Sequence, residues 1–142
     1  MTLHLIKLCV GVDSVEDLRE WHTERLAQLK KRGQKAELKH TTRMVPKRRD
    51  ELLDGGSLFW VIKGYLAARQ PLIDVRPFVD KEGVGRCHLV YGKDLILVAP
   101  RPRRAFQGWR YLTATDAPPD VGKAGKAMPD KLRRELAELG LL

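Results

Sequence analysis

The sequence predicts a small α+β domain. Its sheet is expected to be strongly bent or barrel-like and mainly antiparallel, with a long helix near the N-terminus and a short one at the C-terminus. Three observations predict it. Short runs rich in β-branched and aromatic residues recur roughly every 8–14 residues, separated by Gly, Pro and Asp turns. One clear 3.6-residue apolar period runs over residues 14–32. The chain is 142 residues long, 43% hydrophobic and 32% charged, which is the scale of one core rather than two. Residues 1–116 are expected to be one globular domain, 117–129 a linker-like segment, and 130–142 a helix docking on the domain.

The elements follow in order. Residues 3–10 read as a strand, with Leu3, Leu5 and Cys9 on one side and Lys7 interrupting that apolar side. Gly11 ends it. Ser14 to Asp17 form a capping box for the helix, whose Val15, Leu18, His22, Leu26 and Leu29 share one face. Acids load its first half and Lys30, Lys31 and Arg32 its last turn, as the helix dipole favours. Gly33 suits the residue just past the helix end. Residues 37–45 read as a strand that Pro46 stops, and 47–53 as a helical turn ending in Asp54-Gly55-Gly56. Residues 57–63 are the densest strand signal, with Gly64 expected at a bulge or a close backbone approach. Strand-like residues 66–79 are expected to be broken into edges or bends at Pro71 and Pro77. Asp80 to Gly83 make a turn before a strand over 85–91, and 95–99 and 109–113 are the last strands. Pro129-Asp130 start a final helix with Leu132, Leu136 and Leu139 on the docking face.

The charge is the one unusual bulk property. There are 27 basic and 18 acidic residues, a net +9, which suggests nucleic acid. The excess is shared by every part of the chain. What stands out locally is two stretches without acids: Lys39 to Arg49 with five basic residues, and Leu95 to Thr115 with four arginines.

Several chemistries are missing. Serine occurs only at Ser14 and Ser57, neither in a G-x-S-x-G elbow. Neither a P-loop nor a G-x-G-x-x-G fingerprint occurs. His4, Cys9, His22, His40, Cys87 and His88 lack the i,i+3 or i,i+4 spacing of metal ligands, so no metal and no cofactor is expected. Cys9 and Cys87 read as buried, inert thiols, and His22 as a hydrogen-bonded histidine of the apolar face. No run approaches 18 apolar residues and no signal peptide is read in the first ten, so a cytoplasmic protein without a membrane span is expected. No catalytic residue is nominated.

The candidate site residues are those that combine charge with flat rings. Arg43, Lys47, Arg48 and Arg49 are expected to hold phosphates, aided by the helix start near Lys47. Arg101, Arg103, Arg104 and Arg110 extend the track, with prolines holding Arg101 and Arg103 extended and Trp109 as a stacking residue. His40, Trp60 and Lys63 are candidates for a pocket near Arg43. Trp60 also reads as core, and Trp109 with Tyr111 as a pair closing the sheet.

Four segments carry a resemblance: His4–Gly11, Thr41–Arg48, Leu52–Gly64 and Arg103–Leu112. Through them nearly the whole chain resembles an uncharacterised bacterial family of unknown function, which implies no activity. Residues 38–112 are also similar to the start of PUA-like barrels, in the strand ending Thr41-Thr42-Arg43, the short helix, the Gly55-Gly56 turn and the Leu58–Val61 strand. That class includes the ASCH and EVE groups, which bind RNA or modified bases. The leading strand and long helix depart from its simplest version.

The expected function is binding of RNA, or another nucleic acid, on a basic-aromatic surface. Two alternatives stand beside it: an enzyme or sensor for a small anion such as a nucleotide, with a pocket near Arg43, Trp60 and Lys63, and a protein-interaction module. The adjacency of residues 39–49 and 101–110 decides the first.

Overall fold

The computed structural model describes residues 2–142. The chain runs β1 (Leu3–Leu8), α1 (Val15–Lys31), β2 (Leu38–Thr42), α2 (Arg49–Leu52), β3 (Ser57–Ile62), β4 (Tyr65–Val79), β5 (Gly85–Tyr91), β6 (Ile96–Pro102), β7 (Trp109–Thr113), α3 (Lys123–Lys126) and α4 (Asp130–Glu138). It is an α+β fold on a seven-stranded mixed sheet of order β2-β5-β4-β3-β1-β7, with β6 also paired to β4. The β1–β3 pair is parallel and the rest are antiparallel.

The expected barrel does not close. β1 is flanked by β3 and β7, so both of its edges are occupied and none is left for β2. The curvature comes from β4. Contrary to the expected breaks, residues 65–79 form one 15-residue strand through both prolines. Pro71 sits where pairing with β3 gives way to pairing with β5, and its carbonyl accepts from the Gly92 N–H at 2.8 Å. Pro77 lies where β5 is the only neighbour of β4, and a missing N–H is tolerated at such a free edge. Register shifts at Ala67 and Ile73 bend the strand further. Lys63 and Gly64 form the two-residue turn between β3 and β4, both with positive φ (51° and 81°), so Gly64 marks a turn and not a bulge.

Alternation along the strands divides the core in two. Leu3, Leu5, Leu58, Trp60, Ile62 and Trp109 belong to the main core with Val15 and Leu18 of α1. Ile6, Phe59, Val61 and Leu112 point to the other face, where Phe106 and Ala117 pack on them. Helix α1 buries Val15, Leu18, His22 and Leu29, and the Ser14 hydroxyl accepts from the Asp17 N–H, as its sequence pattern predicts.

Within residues 117–129, Pro119 to Val121 run along β6 and Lys123–Lys126 form α3. Ala99 N donates to Pro119 O and Val121 N to Leu97 O, and Val121 is buried. Helix α4 departs from the expected apolar docking face, because its buried side chain is an arginine, bonded to the segment that leads into the helix. Arg133 is 5% exposed, while Leu132 and Leu139 face solvent. Its guanidinium donates to the carbonyls of Gly125 and Met128 and to Asp130. Asp130 also accepts from the N–H of Val15, the first residue of α1, at 2.8 Å. A carboxylate at a helix N-terminus satisfies an orphan donor and the helix dipole together. Asp130→Ala removes both partners, and an expected loss of about 1–3 kcal/mol is readable as a shift of the urea midpoint. An unchanged midpoint refutes this role.

A candidate ligand cleft at the open seam

The two acid-free stretches meet. The Trp109 indole N–H donates to the Met44 carbonyl at 2.7 Å. The Tyr111 hydroxyl accepts from the backbone N–H groups of Lys47 and Arg48 at 2.9 and 3.4 Å. Their contact is through the backbone and rings, however, and the cations divide. Arg103 and Arg110 lie over the Phe106 ring, 5.3 and 5.4 Å from its centre, on the face that Phe106 covers. Arg43, Lys47 and Arg48 belong to the Met44–Trp109 side.

Several nominated residues are already engaged. Arg48 binds Glu51 through two hydrogen bonds of 2.9 and 2.6 Å. Arg49 binds Asp74 and the Val75 carbonyl, in a network that continues through Arg76 to Glu37. Arg101 donates to the Asp116 carbonyl, and Arg110 to the carbonyls of Gln107 and Trp109. Asp120 pairs with Arg69 instead of the arginine run. Trp109 is 4% exposed, so it is core and not a stacking platform. Its ring stands edge-on to Tyr111 at 4.8 Å. Just before α2, Tyr111 takes the backbone N–H groups of Lys47 and Arg48, so those two are not open to a phosphate. Among the described residues, the side chains of Arg43, Lys47 and Arg104 make no ion pair.

The cavity lies beside this region, at the seam where the sheet fails to close. A cleft of about 350 Å³ is bounded by the end of β1 and the following loop, by α1, and by residues of β2, β3 and β5. Lys7, Cys9, Trp21, His22, Lys39, His40, Trp60 and Tyr91 carry its chemistry. The sheet register explains the placement. Lys7 pairs with Trp60 on one side and Trp109 on the other, in one row across β3, β1 and β7. His40 lies opposite Leu89 of β5, so it shares the inward side with Leu38, Leu89 and Tyr91. Inward residues of β1 and β2 thus face one another across the gap. Lys63 is in the β3–β4 turn and Arg43 past the end of β2, and neither lines the cleft, contrary to the pocket expected around Arg43, Trp60 and Lys63.

No carboxylate lines the cleft. Burial pushes the Lys7 ammonium down, which an anion or an acceptor would reverse. Burial and the Lys7 charge hold His40 down at about 4. Burial does the same to His22, also about 4, and pushes the Cys9 thiol up to about 11 and the Tyr91 phenol well above its usual value. At neutral pH the cleft therefore presents neutral imidazoles, a thiol and a phenol. A protonated thiol is a poor nucleophile, so the arrangement suits binding.

Sequence reasoning nominated Trp60 and His40 for this place. It read His22 as a hydrogen-bonded histidine, and the ring is bonded to Tyr91 and Gln70. It missed Lys7, Trp21 and Tyr91. The signal for Lys7 was present: a lysine on the apolar side of a strand. Tyr91 and Trp21 carried none, because the seam that unites them depends on the topology.

These features define an α+β domain with an open mixed sheet and a cation-bearing aromatic cleft at its seam. The chain belongs to the family described as protein of unknown function (DUF1489), whose model matches residues 5–142. No curated protein and no solved structure matches it. Among the described residues no helix is long and apolar enough to cross a membrane.

Proposed function

We propose that the protein binds single-stranded nucleic acid, RNA in the first instance, by drawing one base into the cleft while the cations around it hold the flanking phosphates. One observation carries this reading: a cleft walled by Trp21, Trp60, Tyr91, His22 and His40 contains Lys7 and Lys39 and no carboxylate. Rings stack on any base, and ammonium groups pair with phosphate. The volume of about 350 Å³ falls in the range of small-ligand sites. Lys47 and Arg43, which make no ion pair among the described residues, flank Met44, whose carbonyl meets Trp109, the register neighbour of Lys7. The likeness of residues 38–112 to PUA-like domains, some of which bind RNA or modified bases, supports the reading as a fold-level analogy.

A fluorescein-labelled single-stranded RNA of mixed sequence tests it by anisotropy. With Lys39, Arg43 and Lys47 on phosphates, log Kd rises with log salt with a slope of about 2, at about 0.7 per contact. Arg43→Glu with Lys47→Glu weakens binding more than about tenfold. Arg103→Glu with Arg104→Glu, beside Phe106 on the other face, has the smaller effect. Absence of salt-sensitive binding at low ionic strength defeats the proposal. A mononucleotide that binds as tightly as the oligomer makes the protein a small-molecule sensor instead.

A further inference from the structure

A chain of buried polar groups lies behind the cleft, and its direction is set at one end. The Trp60 indole N–H can only donate, so the Gln70 Oε1 at 2.8 Å accepts from it. The Gln70 amide nitrogen is thereby turned the other way, to the Gly92 carbonyl at 3.0 Å and to His22 Nδ1 at 3.4 Å. That nitrogen also only donates, so His22 Nδ1 holds a lone pair. Burial keeps the His22 ring neutral at working pH, and its single proton is on Nε2. Nε2 lies 3.2 Å from the Tyr91 hydroxyl oxygen and donates to it. The phenol keeps its own proton, which burial holds firmly, and among the described residues no acceptor for it is present. Tyr91 is 3% exposed and lines the cleft, so an O–H donor without a partner borders the cavity. A buried donor in this state is costly until a ligand meets it.

We infer that the Tyr91 hydroxyl is a fixed hydrogen-bond donor for the ligand and that the cleft prefers a base carrying ring carbonyls, uracil over cytosine. This rests on the nucleic-acid reading above. Of the donors that line the cavity, Trp21 and Lys39 are exposed, whereas Tyr91 is buried and Lys7 half-buried, and uracil offers a carbonyl to each of these two. Cytosine replaces one carbonyl by an amino group. A donor then meets a donor and both lose a partner, which favours uracil by about tenfold or more. The orientation is not free to adapt. For Tyr91 to accept from the ligand it would have to donate to His22 Nε2, which requires the other His22 tautomer and puts two donors face to face at Gln70. Turning Gln70 does the same at Trp60.

Two measurements test this independently. In the ¹⁵N spectrum of the labelled protein at pH 7, His22 is expected as the Nε2–H tautomer with a bare Nδ1. The opposite tautomer overturns the inference whatever the protein binds. Uridine-only and cytidine-only ten-residue RNAs, compared at one salt concentration, are expected to differ by about tenfold, and Tyr91→Phe brings them within about twofold. The uridine and cytidine 5′-monophosphates, followed through the His22 ring signals, should show the same order. Equal affinities, or a cytidine preference, with salt-sensitive RNA binding intact overturn the inference and leave the broader reading standing. No RNA binding at all overturns the broader reading, and base selection falls with it. Should Tyr91→Phe fail to fold, the tautomer and the wild-type affinities still decide.

Discussion

Gly56→Ala is expected to yield little or no folded protein, whereas Gly64→Ala yields a folded one. The two glycines serve different ends. Gly64 has a positive φ of 81° in a tight turn, and a methyl group there meets open space. The cost is conformational, about 1–2 kcal/mol. Gly56 is not in the left-handed region, and its requirement is room. A Cβ at Gly56 would stand 2.2 Å from the carbonyl oxygens of both Leu3 and Leu52. Neither atom is at the end of a flexible side chain. Gly56 itself is tied at both ends: its N–H donates to Leu52 O at 3.0 Å, and its carbonyl accepts from Leu72 N–H at 2.9 Å. The methyl group must therefore separate α2, β1 and β4 at their junction. A loss above about 4 kcal/mol is the expected scale, against a total stability of about 5–15 kcal/mol. Soluble yield and thermal unfolding of the two variants check it. A Gly56→Ala protein melting within a few degrees of wild type shows that the junction can spread.

The contrast shows what the sequence could express. Asp54-Gly55-Gly56 reads as a turn, and Gly55, with φ of 80°, bears that out. That Gly56 is there for space depends on Leu3, more than fifty residues earlier, and no local pattern records it. The elements that were legible are those whose partners are local. In α1 the cap, the dipole order and the buried stripe all follow from 3.6-residue spacing. The β3 run is apolar on both faces because both faces are covered, and its composition says so. Pro71 and Pro77 misled because a proline breaks a strand only where its N–H is required, and β4 changes neighbours along its length. Leu132 and Leu139 misled in the same way: the periodic stripe exists, but both leucines are exposed and polar contacts of Asp130, Arg134 and Glu138 tie the helix to Val15 and Tyr65. For the site, charge along the sequence marks two stretches that do meet, at Met44–Trp109, but not which of their cations are already paired. Arg48, Arg49 and Arg110 are consumed by internal partners, and the cation inside the cleft is Lys7.

Lowering the pH from 7 to 5 is expected to destabilise the protein by about 2–3 kcal/mol, in a range where carboxylates are still ionised. The main cause is the pair of histidines at the seam, His22 and His40; His4 and His88, also held below the usual imidazole value by burial and neighbouring cations, act with the same sign. Both seam histidines are held down at about 4 in the folded protein, against about 6.5 for a free imidazole. As the pH falls through 6.5 the unfolded chain takes up their protons first, so stability is complete above that value and is lost down to about 4. His22 is fully enclosed and accounts for most of the loss. His40 is half-buried and solvent screens part of its share. The structural reason differs between them. A second proton on His22 sits on Nδ1, opposite the Gln70 amide donor, and the amide can turn only by abandoning Trp60. A proton on His40 faces the Lys7 ammonium. The carboxylates of Glu37, Asp74, Asp80 and Asp120, held below their usual range by arginines, act with the same sign but at lower pH. Their contribution is present above their unfolded values of about 4 and disappears only below them, so the interval from pH 7 to 5 belongs to the histidines. Urea unfolding followed by tryptophan fluorescence at pH 7, 6 and 5 measures the slope. His40→Asn should flatten it in part and leave the His22 share. A free energy of unfolding that stays level from pH 7 to 5 means that both imidazoles titrate normally, and the fixed Trp60–Gln70–His22–Tyr91 chain is then wrong as well.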